Sequence, residues 1–294
     1  MNLSKAAAAT FALLATAAMF GQAPAPQGRG GGGRGRGANA EPPKPGPFPR
    51  LADGKPDLQG IWNAGNFAAA DDIEDHVQDR FQIRGGKGII IDPPGGKIPY
   101  QDWALKKKQD LFAHHMYEDP EAHCTLSGVP RQMYAPFGFQ IFQPKGYVVI
   151  FFEAFHAFRI IPLDGSPHPP DSIKMYEGDS RGHWEGDTLV VDVTNQNDST
   201  WFDMAGNFHS DQIHVVERIT PINADALDYK AVITDPKVYT RPFTIGFNIN
   251  RNKRPGYELM EFACVEGEQD LQHYTAGEGG DKPNSTPAKP STTK

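Results

Sequence analysis

The sequence predicts an all-β fold, an antiparallel meander with one helix and long loops. Three observations carry that expectation. β-branched and aromatic residues crowd into short runs across the second half of the chain. Turn-forming residues separate those runs at short spacing. No strand pattern alternates with long helical patterns, which excludes a doubly wound sheet.

In chain order, Gly60-Ile61-Trp62 opens a first strand and residues 89–91 form a second, short one. Residues 100–117 read as a helix, with Pro99 just before it, Asp102 in its first turn and Lys106-Lys107-Lys108 on its wet face. Residues 118–144 pass through Pro120, Pro130, Pro136 and Pro144 and read as a long loop. Residues 147–161 read as one strand, apolar on both faces, the pattern of a strand covered on both sides. Alternation places Val149, Phe151, Glu153, Phe155 and Arg159 on one face, with Val148, Ile150, Phe152, His156 and Phe158 on the other. Glu185-Gly186-Asp187 turns a hairpin within residues 182–192. Further strands are expected at residues 213–220, 227–234, 243–251 and 257–265.

At the N-terminus, Lys5, the apolar run 6–20 and the small residues Gly21 and Ala23 make residues 1–23 a secretory signal. The run is shorter than the roughly 18 to 20 apolar residues that a membrane span needs. A single early Lys excludes a twin-Arg signal, and no Cys stands near the cleavage region to take a lipid. The expected address is the periplasm or the outside of the cell. Residues 24–49, rich in Pro, Gly and Arg, read as a disordered linker; its Arg-Gly run suits RNA, but export removes that partner. Residues 276–294 read as a disordered tail, which leaves 50–275 as a single β domain. The formal charge is −7 with no basic stripe, arguing against nucleic acid and anionic membranes and leaving a small-molecule ligand as the expected partner. The two cysteines, Cys124 and Cys264, read as one disulfide in an oxidising compartment, with two separate buried thiols as the alternative.

Gly60-x-Trp62 resembles the first strand of lipocalin-like (calycin) β-barrels, in which the Trp closes one end of the barrel. A wider resemblance rests on ADGKPDLQGIW (52–62), DPEAHC (119–124), GVPRQMY (128–134), GHWEGDTLVVDV (182–193), HSDQIHVVER (209–218) and DPKVYTRPFT (235–244). These strings resemble a widespread group of secreted bacterial proteins to which no reaction is assigned. The resemblance implies export and a shared barrel fold, and carries over no catalytic residue.

Among candidate site residues, Glu217 shares a strand face with Ile213, Val215 and Ile219, a carboxylate in an apolar stripe. Burial raises a carboxylate pKa and suits it to acid–base work unless an Arg holds it ionised. Glu153 poses the same question, with Arg159 on its face. The structural alternative for either is an ion pair with an Arg from a neighbouring strand. Asn197, Asp198, Trp201, Asp203, His209, Ser210, Asp211 and His214, in a loop entering a strand, form the richest polar cluster, in which His209 with Asp203 or Asp211 makes a candidate acid–base pair. Ser210 lacks the Gly-x-Ser-x-Gly elbow of a hydrolase nucleophile. Histidines are plentiful but show no H-x-x-x-H or H-x-H spacing, so no metal site is expected. Gly85-Gly86-Lys87-Gly88 and Gly95-Gly96-Lys97-Ile98 lack the phosphate-loop pattern, so no nucleotide cofactor is expected.

The leading expectation is an exported barrel that binds a small, partly apolar molecule. Its lining would be Trp62, Tyr134, Phe155, Trp184 and Trp201, with Glu153, His156 and Arg159 as polar contacts. One alternative is an acid–base enzyme in the same cavity, an isomerase, cyclase or hydrolase using His183, His209, Asp203 or Glu217. The other is a structural or surface-interaction protein.

Overall fold

Nine antiparallel strands form the wall of a nearly closed barrel in a computed structural model that describes residues 41–64, 68–79 and 83–262. The expected signal, the linker up to residue 40, Cys264 and the tail lie outside the described residues. No described helix is long and apolar enough to cross a membrane.

The wall consists of β1 (Gly60–Ala64), β3 (Gly138–Phe142), β4 (Tyr147–Phe152), β5 (Phe158–Pro162), β6 (Asp179–Glu185), β7 (Thr188–Thr194), β8 (His214–Asn223), β9 (Ala226–Thr234) and β10 (Phe243–Arg251). The short β2 (Ile90–Asp92) pairs with the start of β10. The spatial order β5-β4-β3-β1-β10-β9-β8-β7-β6 follows the chain around a ring, and β1 pairing with β10 joins its two halves. The hairpin expected at Gly186 is present, with Glu185 facing Thr188 and Gly186 at φ 59°, a conformation a glycine adopts without steric cost. Residues 243–251 form a strand as expected.

An odd number of strands cannot alternate direction all the way round a ring. Eight antiparallel steps separate β5 from β6, so the two run the same way at the seam, and no ladder joins them. There Gly182 lets the strands approach: a Cβ on it would lie 2.7 Å from Ile161 Cγ2 and 2.8 Å from Leu163 Cδ2. Inward positions alternate as a half-buried strand requires, with Val215, Glu217 and Ile219 on β8 and Leu227, Tyr229, Ala231 and Ile233 on β9. At the end marked by the β8–β9 hairpin, Trp62 is buried, donates Nε1–H to the Leu58 carbonyl (2.8 Å) and carries the Arg251 guanidinium 4.1 Å above its ring. Arg251 in turn donates to the Ala224 and Gln59 carbonyls, each at 2.8 Å.

The helix expected over 100–117 is α2 (Asp102–His114), which follows α1 (Ala68–Asp71) and is followed by a separate 3-10 turn, Met116–Glu118. Four expectations need correction. The stretch 147–161 is two strands, β4 and β5, joined by a turn in which Phe155 and His156 take φ 57° and 51°. That turn resets the alternation: Arg159 points inward, Phe158 points outward, and the outer face of both strands is bare rather than covered. Residues 118–144 are not one loop, since they hold β3, the 3-10 turn Pro120–His123 and α3 (Arg131–Tyr134). Residues 257–262 form no strand; their one backbone bridge to the barrel joins Phe262 to Ala154, and the other contacts run through side chains. Residues 44–47, assigned to the linker by composition, dock on the β8–β9 hairpin through Gly46 N–H to Ile222 O (2.9 Å) and Asn223 Nδ2 to Lys44 O (2.8 Å).

Candidate functional site

Inside the barrel, the inward face of β8 places Glu217 fully out of solvent. Its partner is an Arg, but from across the lumen rather than from a neighbouring strand. Arg159 donates Nη1–H to Oε1 (3.1 Å) and Nη2–H to Oε2 (2.5 Å), and Tyr229 donates its hydroxyl to Oε1 (2.7 Å). Arg159 Nη2 also donates to Ser180 Oγ on β6 (3.0 Å), so one guanidinium bridges the seam where the ladder is missing. Burial opposes the Arg159 charge, and the Glu217 carboxylate outweighs it, leaving the guanidinium pKa raised. Burial and the same carboxylate hold the Tyr229 hydroxyl well above its usual value. Glu217 is the ion-paired carboxylate of the structural alternative.

The end of the barrel where β7 finishes and β10 begins is filled by α3, all four of whose residues are buried. Arg131 there donates to both Asp119 oxygens (2.7 Å each) and pairs with Glu121 (2.9 Å). Tyr134 donates to the Phe202 carbonyl (2.8 Å). Glu177, from the 163–178 connection, accepts the Gly128 N–H on Oε1 (3.1 Å), while its Oε2 is sealed from solvent with no hydrogen-bond partner. Burial raises its pKa to about 7. Arg131 Nε, Arg159 Nε and both amide atoms of Gln132 are likewise buried without partners, which makes this a natural home for bound water.

A concave surface site lies on the outside, between α2 and the arm in which His76 bridges Gly86. The groove holds about 970 Å³, and its walls include Asp72, Glu74, His76, Lys97, Lys108 and Phe112. Glu74 is committed to Lys97 (2.7 Å) and the Ile98 N–H (2.8 Å), and both His76 ring nitrogens face backbone carbonyls, of Glu74 and Arg84. Asp72 Oδ1 accepts the Glu74 N–H (2.9 Å) and the Asn207 amide (3.1 Å). Directly behind, Asp203 is wholly buried and accepts from Ile73 N–H (2.9 Å), Asn207 N–H (3.1 Å) and the Asn207 side chain (2.6 Å). Tyr100 completes the network by donating to Asn207 Oδ1 (3.0 Å). Burial, then the Asp72 charge, raises the Asp203 pKa to about 8; burial raises Asp72 too, with the Lys108 charge pulling it down. Two carboxyl groups linked through one amide, the outer one on a groove wall, form an arrangement suited to binding a hydrogen-bond donor or exchanging a proton.

The other sequence candidates are scattered. His209 is buried, with Thr200 Oγ1 at 2.8 Å and the Ser210 carbonyl at 3.0 Å, and burial lowers its pKa. It pairs with neither expected carboxylate, since Asp203 is held by Asn207 and Asp211 by Lys237 (2.8 Å). His183 points outward beside Glu185 (3.2 Å). Glu153 clasps the 257–262 segment through Tyr257 OH (2.9 Å) and Met260 N–H (3.3 Å). Phe155 packs on Phe262, His156 sits by Glu261, Trp184 lies partly buried under Lys55, and Trp201 bridges to Phe208. Of the expected lining residues, Trp62, Tyr134 and Arg159 are buried inside the barrel, Trp184 shares the inward phase of β6 with Ser180 and Gly182 and packs partly buried against the core, and Trp62 occupies the opposite end from Tyr134.

Sequence reasoning missed Asp72, Lys108, Glu177, Gln132 and Asn207. For Gln132 a signal existed, because GVPRQMY places a polar pair between apolar residues in a stretch that turns out to plug the barrel. For Asp72 and Asn207, more than a hundred residues apart, no spacing signal exists. No protein-family model, no curated protein and no solved structure matches this chain.

Proposed function

We propose that this chain is an exported, small-molecule-binding β-barrel protein whose ligand sits in the groove beside α2 rather than in the lumen. The observation that carries this reading is the ligand-sized groove with Asp72 in its wall, against a lumen filled by Trp62, Tyr134, Phe139 and Tyr229. The ligand is small and partly apolar, contacts Phe112 and Ile83, and presents a hydrogen-bond donor to Asp72. The order Lys5, apolar run, small residues supports export. Trp62 capped by Arg251 at one barrel end supports the lipocalin-like reading.

The test is NMR shift mapping of the secreted chain against a library of small amines, alcohols and amides. Binders should shift resonances of Asp72, Lys108 and Phe112, and Phe112→Asp should abolish those shifts without unfolding the barrel. Binders that perturb only lumen residues such as Tyr229 would overturn the placement.

A second reading, acid–base catalysis in the same groove, is favoured by the Asp72–Asn207–Asp203 network, since raised carboxyl pKa values suit proton transfer near neutral pH. Asp72→Asn separates the two: a binder loses affinity, whereas an enzyme retains ligand and loses turnover.

A further inference from the structure

The outer wall of β3, β4 and β5 carries Phe142, Tyr147, Phe151, Phe158 and Ile160, each between 39 and 56 % exposed. The remaining outward positions on this wall between Gln140 and Ile160 are Gln140 and Val149, so these positions carry no charge. Phe142 meets Phe151 edge-to-face at 5.7 Å, and Phe151 meets Phe158 at 6.1 Å, making a continuous aromatic ladder. The wall from β6, next to β5 at the seam, round to β9 is different in kind. Outward positions there bear Asp179, Arg181, Asp192, Arg218, Asp228 and Lys230, engaged in surface ion pairs.

Apolar patches of this size on a folded chain are often contact surfaces. We propose that this one is the interface of a homodimer, covered by the same face of a second copy of this chain. The patch permits that occupant: although each copy carries a net −7, the outward strand positions here are uncharged, so two copies meeting at this face bring no like charges into contact. Size favours it. Half-exposed aromatic side chains of this number present roughly 500 Å² of apolar surface, a suitable centre for a self-complementary two-fold interface of about 800 Å² per partner. An anionic lipid surface fits worse, because the strand positions of this face hold no Lys or Arg and Lys145 of the β3–β4 turn, a single cation at its edge, falls short of the basic cluster that such headgroups draw. The chain's own C-terminal residues fit worse too: of residues 263–294, only Val265, Leu271 and Tyr274 are large and apolar, among many charges.

The experiment is sedimentation velocity of the secreted, full-length mature chain over a wide concentration series, with and without neutral and anionic phospholipid vesicles. A concentration-dependent dimer is expected. Phe151→Glu and Phe158→Arg should each weaken it about a hundredfold by burying an unpaired charge at the interface centre. Lys230→Gln, on the charged wall, should leave it unchanged. Both interface positions point away from the core, so the thermal midpoint of the separated monomer should match that of diluted wild type. A wild-type chain that stays monomeric up to its solubility limit overturns the proposal, whatever the variants do. So does a dimer insensitive to both substitutions, or a monomer that floats with vesicles.

Discussion

Arg159 on β5 and Glu217 on β8 form a two-point ion pair across the barrel lumen, and the same guanidinium reaches Ser180 on β6. The pair therefore ties the one seam that backbone hydrogen bonds leave open. Glu217→Gln leaves Arg159 buried with its charge uncompensated, which should lower unfolding free energy by about 3 to 5 kcal/mol. Chemical denaturation measures it. Replacing both residues by Met should recover most of the loss, because the cost lies in the orphaned charge rather than in the missing contact.

Gly182 is the second element of that seam. A Cβ there meets side chains of Ile161 and Leu163 at distances no packed carbon tolerates. Gly182→Ala should cost about 1 to 3 kcal/mol by overpacking, whereas Gly165→Ala, on the connection outside, meets no neighbouring atom within 4 Å but is strained by its φ of 72°. Leu163→Val removes the Cδ2 carbon that the new Cβ would meet, so combining it with Gly182→Ala should cost less than the two changes taken separately. An unchanged denaturation midpoint for Gly182→Ala would show that β5 and β6 stand farther apart.

Stability should fall as pH rises from about 4 toward 8. The Asp203 carboxyl, with its pKa raised to about 8, keeps a proton in the folded chain that the unfolded chain releases near pH 4. Its contribution is most favourable at low pH and is lost through that window, at up to about 1.4 kcal/mol per pH unit. Asp72 acts in the same direction, and so does His214, whose pKa Asp192 raises and whose stabilisation is lost as pH climbs past it. Asp192, Glu185 and Asp187, with lowered pKa values, stabilise above about pH 4 and lose that effect in acid, which sets the lower limit. Asp203→Asn offers Ile73 and Asn207 one acceptor oxygen instead of two, so its stability in acid should drop. The diagnostic is its slope between pH 5 and 8, which should flatten.

Strands β7 to β10 were legible because alternation and turn chemistry agree there; residues 243–251 form a strand from end to end, and Gly186 makes the expected turn. β3 was not legible. Its five residues lie between Pro136 and Pro144, and what makes them a strand is pairing on both sides with β1 and β4, a tertiary fact. The split of 147–161 escaped for a different reason. The turn Ala154-Phe155-His156-Ala157 contains no Gly, Asn or Asp, yet two of its residues adopt left-handed backbone angles. That reversal moved Arg159 to the inner face, so an Arg partner for Glu217 was foreseen but was expected on a neighbouring strand, and it comes from β5 across the lumen. The groove was invisible because residues 72–112 build its walls while Asp203 and Asn207 reach it from behind.

The remaining prediction concerns Cys124, which caps the 3-10 turn Pro120–His123 in a left-handed conformation (φ 60°) three residues after Glu121, a partner of Arg131. Cys264, the other cysteine of the chain, follows Phe262 by two residues, and Phe262 packs on Phe137 at 4.7 Å. On the proposed export, this even pair is expected to be oxidised, closing a loop of more than a hundred residues for about 4 to 5 kcal/mol on chain-entropy grounds. Mass spectrometry after alkylation under denaturing, non-reducing conditions should find no modified thiol and a cross-linked peptide joining the two positions. Cys124→Ser and Cys264→Ser should then lower stability by equal amounts, with no further loss in the double variant, because either one opens the same loop. Two alkylated thiols would refute the bridge, and unequal, additive losses would show two cysteines that pack independently.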